Sequence, residues 1–358
     1  MNEIIESQSN LLGINEFISK ATQYTNENFP ELDISQVFKE SITGNMGNIL
    51  GKIDIFNFFS NELSYAIQIM IDVIIIIIIN SIFKAIIENL GNSNSAQITY
   101  FLQYMVIVSL VINTFVSILD YTKESINSVI NFMNLLVPLL ITLMLSTGTI
   151  VTTTIVEPIL LIMIGFVGNF INIFLIPLLM VSLTISIVSN ISDKVQIERL
   201  SKFLKSSIVW LLGILLTIFT TTLSLQGSLT SSVDGMTAKT AKAVVSNFIP
   251  VVGKIMGDTV DSVIGCSNIL KNSVGIIGVI VIIGIVLEPI VKIFVLWMSF
   301  KLTSAVCEVV ADVKIVKLID QISDGYKILL GILVSVSVMF VIGITLVIKM
   351  TNTALMYR

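Results

Sequence analysis

From residue 63 onward, apolar positions crowd into runs instead of alternating with polar ones. The runs are about 20 residues long, the length an α-helix needs to cross a hydrocarbon core of about 30 Å. Eight of them fit the chain: residues 63–87, 98–119, 129–145, 149–167, 171–191, 208–225, 274–298 and 328–348. The first holds six consecutive isoleucines at positions 74–79. A transmembrane β-barrel would instead alternate apolar and polar residues over short segments. The pattern therefore predicts an all-α, polytopic transmembrane helical bundle of about eight spans.

Three regions depart from the continuous runs. Residues 1–62 are acidic, with nine carboxylates against Lys20, Lys39 and Lys52, and place Leu11, Leu12, Ile14, Phe17 and Ile18 at helix-compatible spacing. Two or three short amphipathic helices are expected there, outside the cytoplasm. Residues 226–273 form a long amphipathic segment between spans 63–225 and 274–348. In it Val252, Ile255, Met256, Val260, Val263 and Ile264 recur at helical period opposite Lys254, Asp258 and Asp261. Helices on either side of Pro250 fit an interfacial platform or a re-entrant hairpin. Within 302–322, Val306, Val309, Val310, Val313 and Val316 keep the same spacing, with Lys314, Lys317 and Asp320 on the polar side. That stripe predicts a helix lying in the cytoplasmic interface. Residues 349–358 are a short C-terminal tail.

Composition agrees with the membrane reading. The chain has 358 residues, of which 54% are apolar and 12% charged, where a soluble surface uses roughly 25%. A net charge of −4 and the absence of any long basic cluster exclude nucleic acid as a partner. There is no histidine, so the commonest proton shuttle and metal ligand is missing. Cys266 and Cys307 lack metal-binding or redox spacing; they read as small apolar residues, unless an oxidising side joins them. The densest basic loop is 192–207, and 301–327 is the next. By the positive-inside rule both face the cytoplasm, with the termini outside. The first residues have neither the basic start nor the apolar centre of a signal peptide.

Chemistry is sought first where charge is costly. A charged side chain in a membrane helix costs roughly 2.5–3.5 kcal/mol on insertion scales, which singles out Asp72, Glu157, Glu288 and Lys292. Glu288 and Lys292, four apart on one helix face, are placed to neutralise each other. These four read either as a polar path or subunit contact, or as paired and snorkelling side chains. Pro158, Pro177 and Pro289 lie inside apolar runs, where freed carbonyls need other partners. Val309, Val313, Lys314 and Lys317 are the candidate contacts for a cytoplasmic partner. No catalytic constellation and no glycine-rich phosphate loop is present. The expectation is a non-enzymatic protein with no catalytic residues, no metal and no cofactor.

The run GMTAKTAKAVVSNFIPVVGKIMGDTVDSVIGCSNILKNSVGIIG, starting at Gly235, resembles the signature region of the stage III sporulation protein AE family. The resemblance continues through LEPIVKIFVLWMSFKLTSAVCEVVADVKIVKLIDQISDGYKILLGILVSVSVMF. It implies a permease-like or scaffold subunit in the mother-cell membrane around the forespore, within a channel or secretion-like complex joining the two cells. The implied partners are other stage III membrane proteins, a soluble cytoplasmic ATPase, ring-forming proteins between the membranes, membrane lipid and further copies of the chain. The implied outcome is late forespore gene expression and forespore integrity. Family members commonly begin with a signal peptide, and this chain departs from that. The intramembrane acids and prolines leave a second expectation, a stand-alone ion-coupled transporter of a small solute.

Overall fold

The structure is a computed structural model describing residues 2–26, 33–43, 55–89, 93–191, 197–248 and 252–356. Among these every element is a helix. Three short ones come first: α1 (Asn2–Leu11), α2 (Ile14–Asn26) and α3 (Ile34–Thr43). Then come α4 (Ile55–Asn89), α5 (Ser93–Ser146), α6 (Ile150–Asn169), α7 (Ile176–Ile191), α8 (Glu198–Phe248), α9 (Val252–Cys307) and α10 (Val313–Met356).

The eight apolar runs fall on six long apolar helical stretches, as long as 46 residues (Ser262–Cys307). Runs 98–119 and 129–145 share α5, because the polar residues between them, such as Asp120, Lys123 and Glu124, include no helix breaker. Runs 149–167 and 171–191 are joined by a π-helical turn, Phe170–Leu175. There Gly168 lets α6 close on the Ile130 side chain of α5, which would have to shift to admit a Cβ at that position. The segment 226–273 is described up to Phe248 and again from Val252. Its described parts prolong spans 208–225 and 274–298 unbroken, as the end of α8 and the start of α9. Pro250 and the side chains of residues 237–261 lie outside the described residues; beyond them Val263 is exposed and Ile264 buried.

The amphipathic reading of 302–322 is corrected. The chain stops being helical between Cys307 and Val313, where the amides of Val310 and Ala311 both donate to the Cys307 carbonyl. The amides of Ile315 and Val316 then donate to the Asp312 carbonyl and start α10. The apolar stripe thus belongs to two antiparallel helices meeting at a turn: Val309 and Val313 are exposed while Ile315, Leu318 and Ile319 are buried. Periodicity alone passes through such a turn because a few residues barely shift its phase.

At the centre, α9 and α10 pack on each other, α5 and α4 flank α9, and α6, α7 and α8 flank α10. Gly275 and Gly278 of α9 admit Ile348 and Ile344 of α10 and Leu136 of α5, close approaches that a larger residue would block. Where α5, α9 and α10 meet, Phe300 stacks on Tyr326 and Phe115 packs against the same ring at a tilt. The end of α7 and the start of α8 lie at the same end as the α9–α10 turn, where Asn190 donates to Gln321 (2.6 Å) and Lys205 to the Gln321 carbonyl (2.8 Å). The two basic loops therefore share a face, as the charge pattern predicted.

At the other end, α5 turns into α6 through Gly148, whose φ of 81° favours glycine. Asp234 of α8 is buried and accepts the amides of Val151 (2.9 Å) and Thr152 (2.8 Å), closing the open N-terminus of α6. The acidic N-terminal region forms the expected short helices. Ile14, Phe17, Ile18 and Ala21 of α2 are buried, at the i, i+3, i+4, i+7 spacing of one helical face. Phe17 and Tyr24 both contact the Phe132 ring of α5. The two cysteines are free, buried, and near opposite ends of α9.

Candidate functional site

The main concentration of membrane charge lies where the first turns of α4 pass α9. Lys292 of α9 sits 3.6 Å from the Glu62 carboxylate, with both side chains largely enclosed. Its ammonium also lies over two rings, 5.0 Å from the centroid of Tyr121 and 5.8 Å from that of Tyr65. A cation over the π-face of a desolvated ring gains about 2 kcal/mol. Tyr65 comes from α4, one turn after Glu62, and Tyr121 from α5. Three helices thus supply one cation box. Glu288, one turn before Lys292, acts electrostatically on Glu62.

This corrects one expectation: Lys292 takes Glu62, not Glu288, as its ion-pair partner. Glu62 had been assigned to the N-terminal region. Helical spacing finds partners on the same helix and is blind to a carboxylate on a neighbouring one.

Directly above, between α2 and the bundle, opens a cavity of about 480 Å³. Lys20 and Gln23 of α2 line it on one side, Glu124, Ser125 and Ser128 of α5 on the other. Tyr121 belongs to both the cavity wall and the cation box. A space of this size with both signs of charge suits a small polar or amphoteric solute. Among the described residues no cluster of metal-binding side chains occurs, and no nucleophile is paired with a base here.

The other expected residues lie elsewhere. Asp72 is exposed on α4, and Glu157 is half-buried on α6. Val309 is 88% exposed and Val313 72%. The turn that carries Val309 is tied to α4, since the Ser81 hydroxyl donates to the Val310 carbonyl at 2.8 Å. Lys314 and Lys317 open α10 beside it, and the Lys317 charge reaches Glu198. The structure therefore separates the candidates into a charged cluster within the bundle and an apolar, basic-edged tip at the end with the basic loops.

Lys271 gave no sequence signal, because it lies in a segment read as polar. It is fully buried and donates to Asn352 Oδ1 (3.0 Å) and the Ile348 carbonyl (3.4 Å).

Residues 32–351 match the profile of the family described as Stage III sporulation protein AE. A protein of that name from Bacillus subtilis (strain 168) is 32% identical over 286 residues, which covers 79% of this chain and 72% of the relative. No solved structure matches the chain.

Proposed function

This chain belongs to the stage III sporulation protein AE family, and on that premise we propose how a multi-pass membrane protein of sporulation does its work. It acts without catalysis, as a permease-like or scaffold subunit of a channel or secretion-like complex in the mother-cell membrane around the forespore. Through that complex it supports late forespore gene expression and forespore integrity. The observation that carries the reading is the pairing of family membership with the Glu62–Lys292 ion pair largely enclosed within an apolar bundle. The exposed Val309–Val313 tip is the docking point for a soluble cytoplasmic ATPase; the opposite end meets ring-forming proteins between the membranes.

Deletion of the gene in the organism it comes from, with membrane-dye microscopy after engulfment, tests the placement. Small, collapsing forespores with failed late gene expression are expected, and normal heat-resistant spores would refute it. The docking point has its own test: Val309→Asp with Val313→Asp should abolish co-purification of the ATPase. Unchanged recovery removes that assignment.

The same cluster favours a second reading, a stand-alone ion-coupled transporter of a small solute. Uptake by the purified protein alone in liposomes, lost in Glu288→Gln, would support it over the first.

A further inference from the structure

Just before Gly275, α9 turns a polar face toward α10. Ser267, Asn268, Lys271 and Asn272 stand at i, i+1, i+4 and i+5. Gly275, at i+8 on the same side, admits Ile348 of α10. At this level α10 brings Thr351 and Asn352, and α8 brings Gln226, next to the Gly227 that closes on Met350. Polar groups of three helices therefore meet within otherwise apolar packing.

Lys271 is fully buried, and its ammonium donates to Asn352 Oδ1 and to the Ile348 carbonyl. The unpartnered buried atoms of this seam are all oxygens: Ser267 Oγ, Asn268 Oδ1, Asn272 Oδ1, Thr351 Oγ1 and Gln226 Oε1. Ser267 and Thr351 are wholly enclosed. Buried polar atoms are costly without a partner, and a set made only of acceptors calls for a donor or a cation. Hydroxyl, amide and peptide oxygens are hard ligands without charge, which suits a cation of single charge.

We propose that this seam is a monovalent-cation site, for sodium or potassium, whose resident cation here is the Lys271 ammonium. Proton and alkali cation are alternatives. When Lys271 gives its proton to water, the neutral amine turns away from Ile348 and Asn352, and the cation takes over the oxygens. One positive charge leaves as another enters, so the seam keeps the same charge. Other charged groups of the packed elements are engaged or lie aside. Lys349 of α10 is exposed, Asp234 of α8 holds the α6 amides, Glu157 of α6 is half-buried, and Glu16 and Lys20 of α2 pair with each other. Among the described residues none of them acts on Lys271.

The site rests on the α8–α9–α10 seam and not on the sporulation complex, so the deletion phenotype and this inference fail independently. The test is the unfolding temperature of the purified full chain in detergent, with sodium chloride, potassium chloride or choline chloride at equal strength. Lys271→Ala empties the oxygens of their resident cation. With sodium or potassium at roughly ten times its Kd, this variant should gain about 2–4 °C over choline, and whichever salt acts identifies the cation. The wild type should show no such gain in neutral buffer and acquire it in alkaline buffer. Ser267→Ala with Thr351→Val, added to Lys271→Ala, should abolish the gain. The site is overturned if Lys271→Ala responds equally to all three salts, which leaves water or chloride in the seam. It is also overturned if the wild type in neutral buffer responds as strongly as the variant, because Lys271 then occupies nothing. Should Lys271→Ala fail to fold, Lys271→Met takes its place, and the alkaline response of the wild type decides alone.

Discussion

Single residues at the end away from the basic loops decide whether adjacent helices can turn. Gly148 holds a positive φ between α5 and α6, and a side chain there costs about 1–2 kcal/mol. Gly148→Ala should lower the unfolding temperature in detergent, and Gly148→Asn should lower it less. Asp234 closes the α6 N-terminus from another helix, so Asp234→Ala should cost about 1–3 kcal/mol by orphaning two amides. Lys271 is the opposite case. A buried ammonium whose described partners are an amide oxygen and a carbonyl gains little beyond its desolvation cost. Lys271→Met should leave the unfolding temperature unchanged or raise it, and any sporulation defect it causes then marks a functional lysine. Of these three, only the turn glycine could be picked from the sequence, since the partners of Asp234 and Lys271 are 77 or more residues away.

Among the elements, the short helices and the long ones are held by different physics. Helix α2 docks with one apolar face on an α5 surface centred on Phe132. Phe132→Ala, at a cost of about 3 kcal/mol or more, should speed proteolysis of the N-terminal region while the rest of the chain stays resistant. Equal protection of both would disprove the docking role. The long helices are unbroken because nothing in their sequences ends a helix. Stretches of 39 to 46 apolar residues in α5, α8 and α9 rise about 60–70 Å at 1.5 Å per residue. That is roughly twice a hydrocarbon core, so six long helical stretches accommodate the about eight apolar runs of the sequence. The 302–322 stripe misled in the other direction: its period survives a turn that only backbone hydrogen bonds reveal.

For the whole molecule, the arrangement fixes which surfaces share a side. The end of α7 and the start of α8 lie together with the α9–α10 turn, and Gln8 of α1 reaches the Val263 carbonyl near the far end of α9. By the positive-inside rule, the basic residues at the first end predict that it faces the cytoplasm. A membrane-impermeant thiol reagent applied to intact protoplasts should label Leu11→Cys and spare Val309→Cys, both at exposed positions. Labelling of both, or of Val309→Cys alone, would reverse or abolish this topology.

The sequence by itself determined the all-α membrane class, the amphipathic N-terminal helices, the shared side of the basic loops and the family. Each follows from composition, local periodicity or a contiguous motif, all of which act within one segment of chain. Only the tertiary structure decided that Lys292 answers Glu62 and that Tyr121 belongs to both the cation box and the cavity wall. Those facts depend on the register between helices. Register is set by close approaches such as Gly168 on Ile130 and Gly278 on Leu136, between residues tens to more than a hundred positions apart. No pattern along a single helix carries that information.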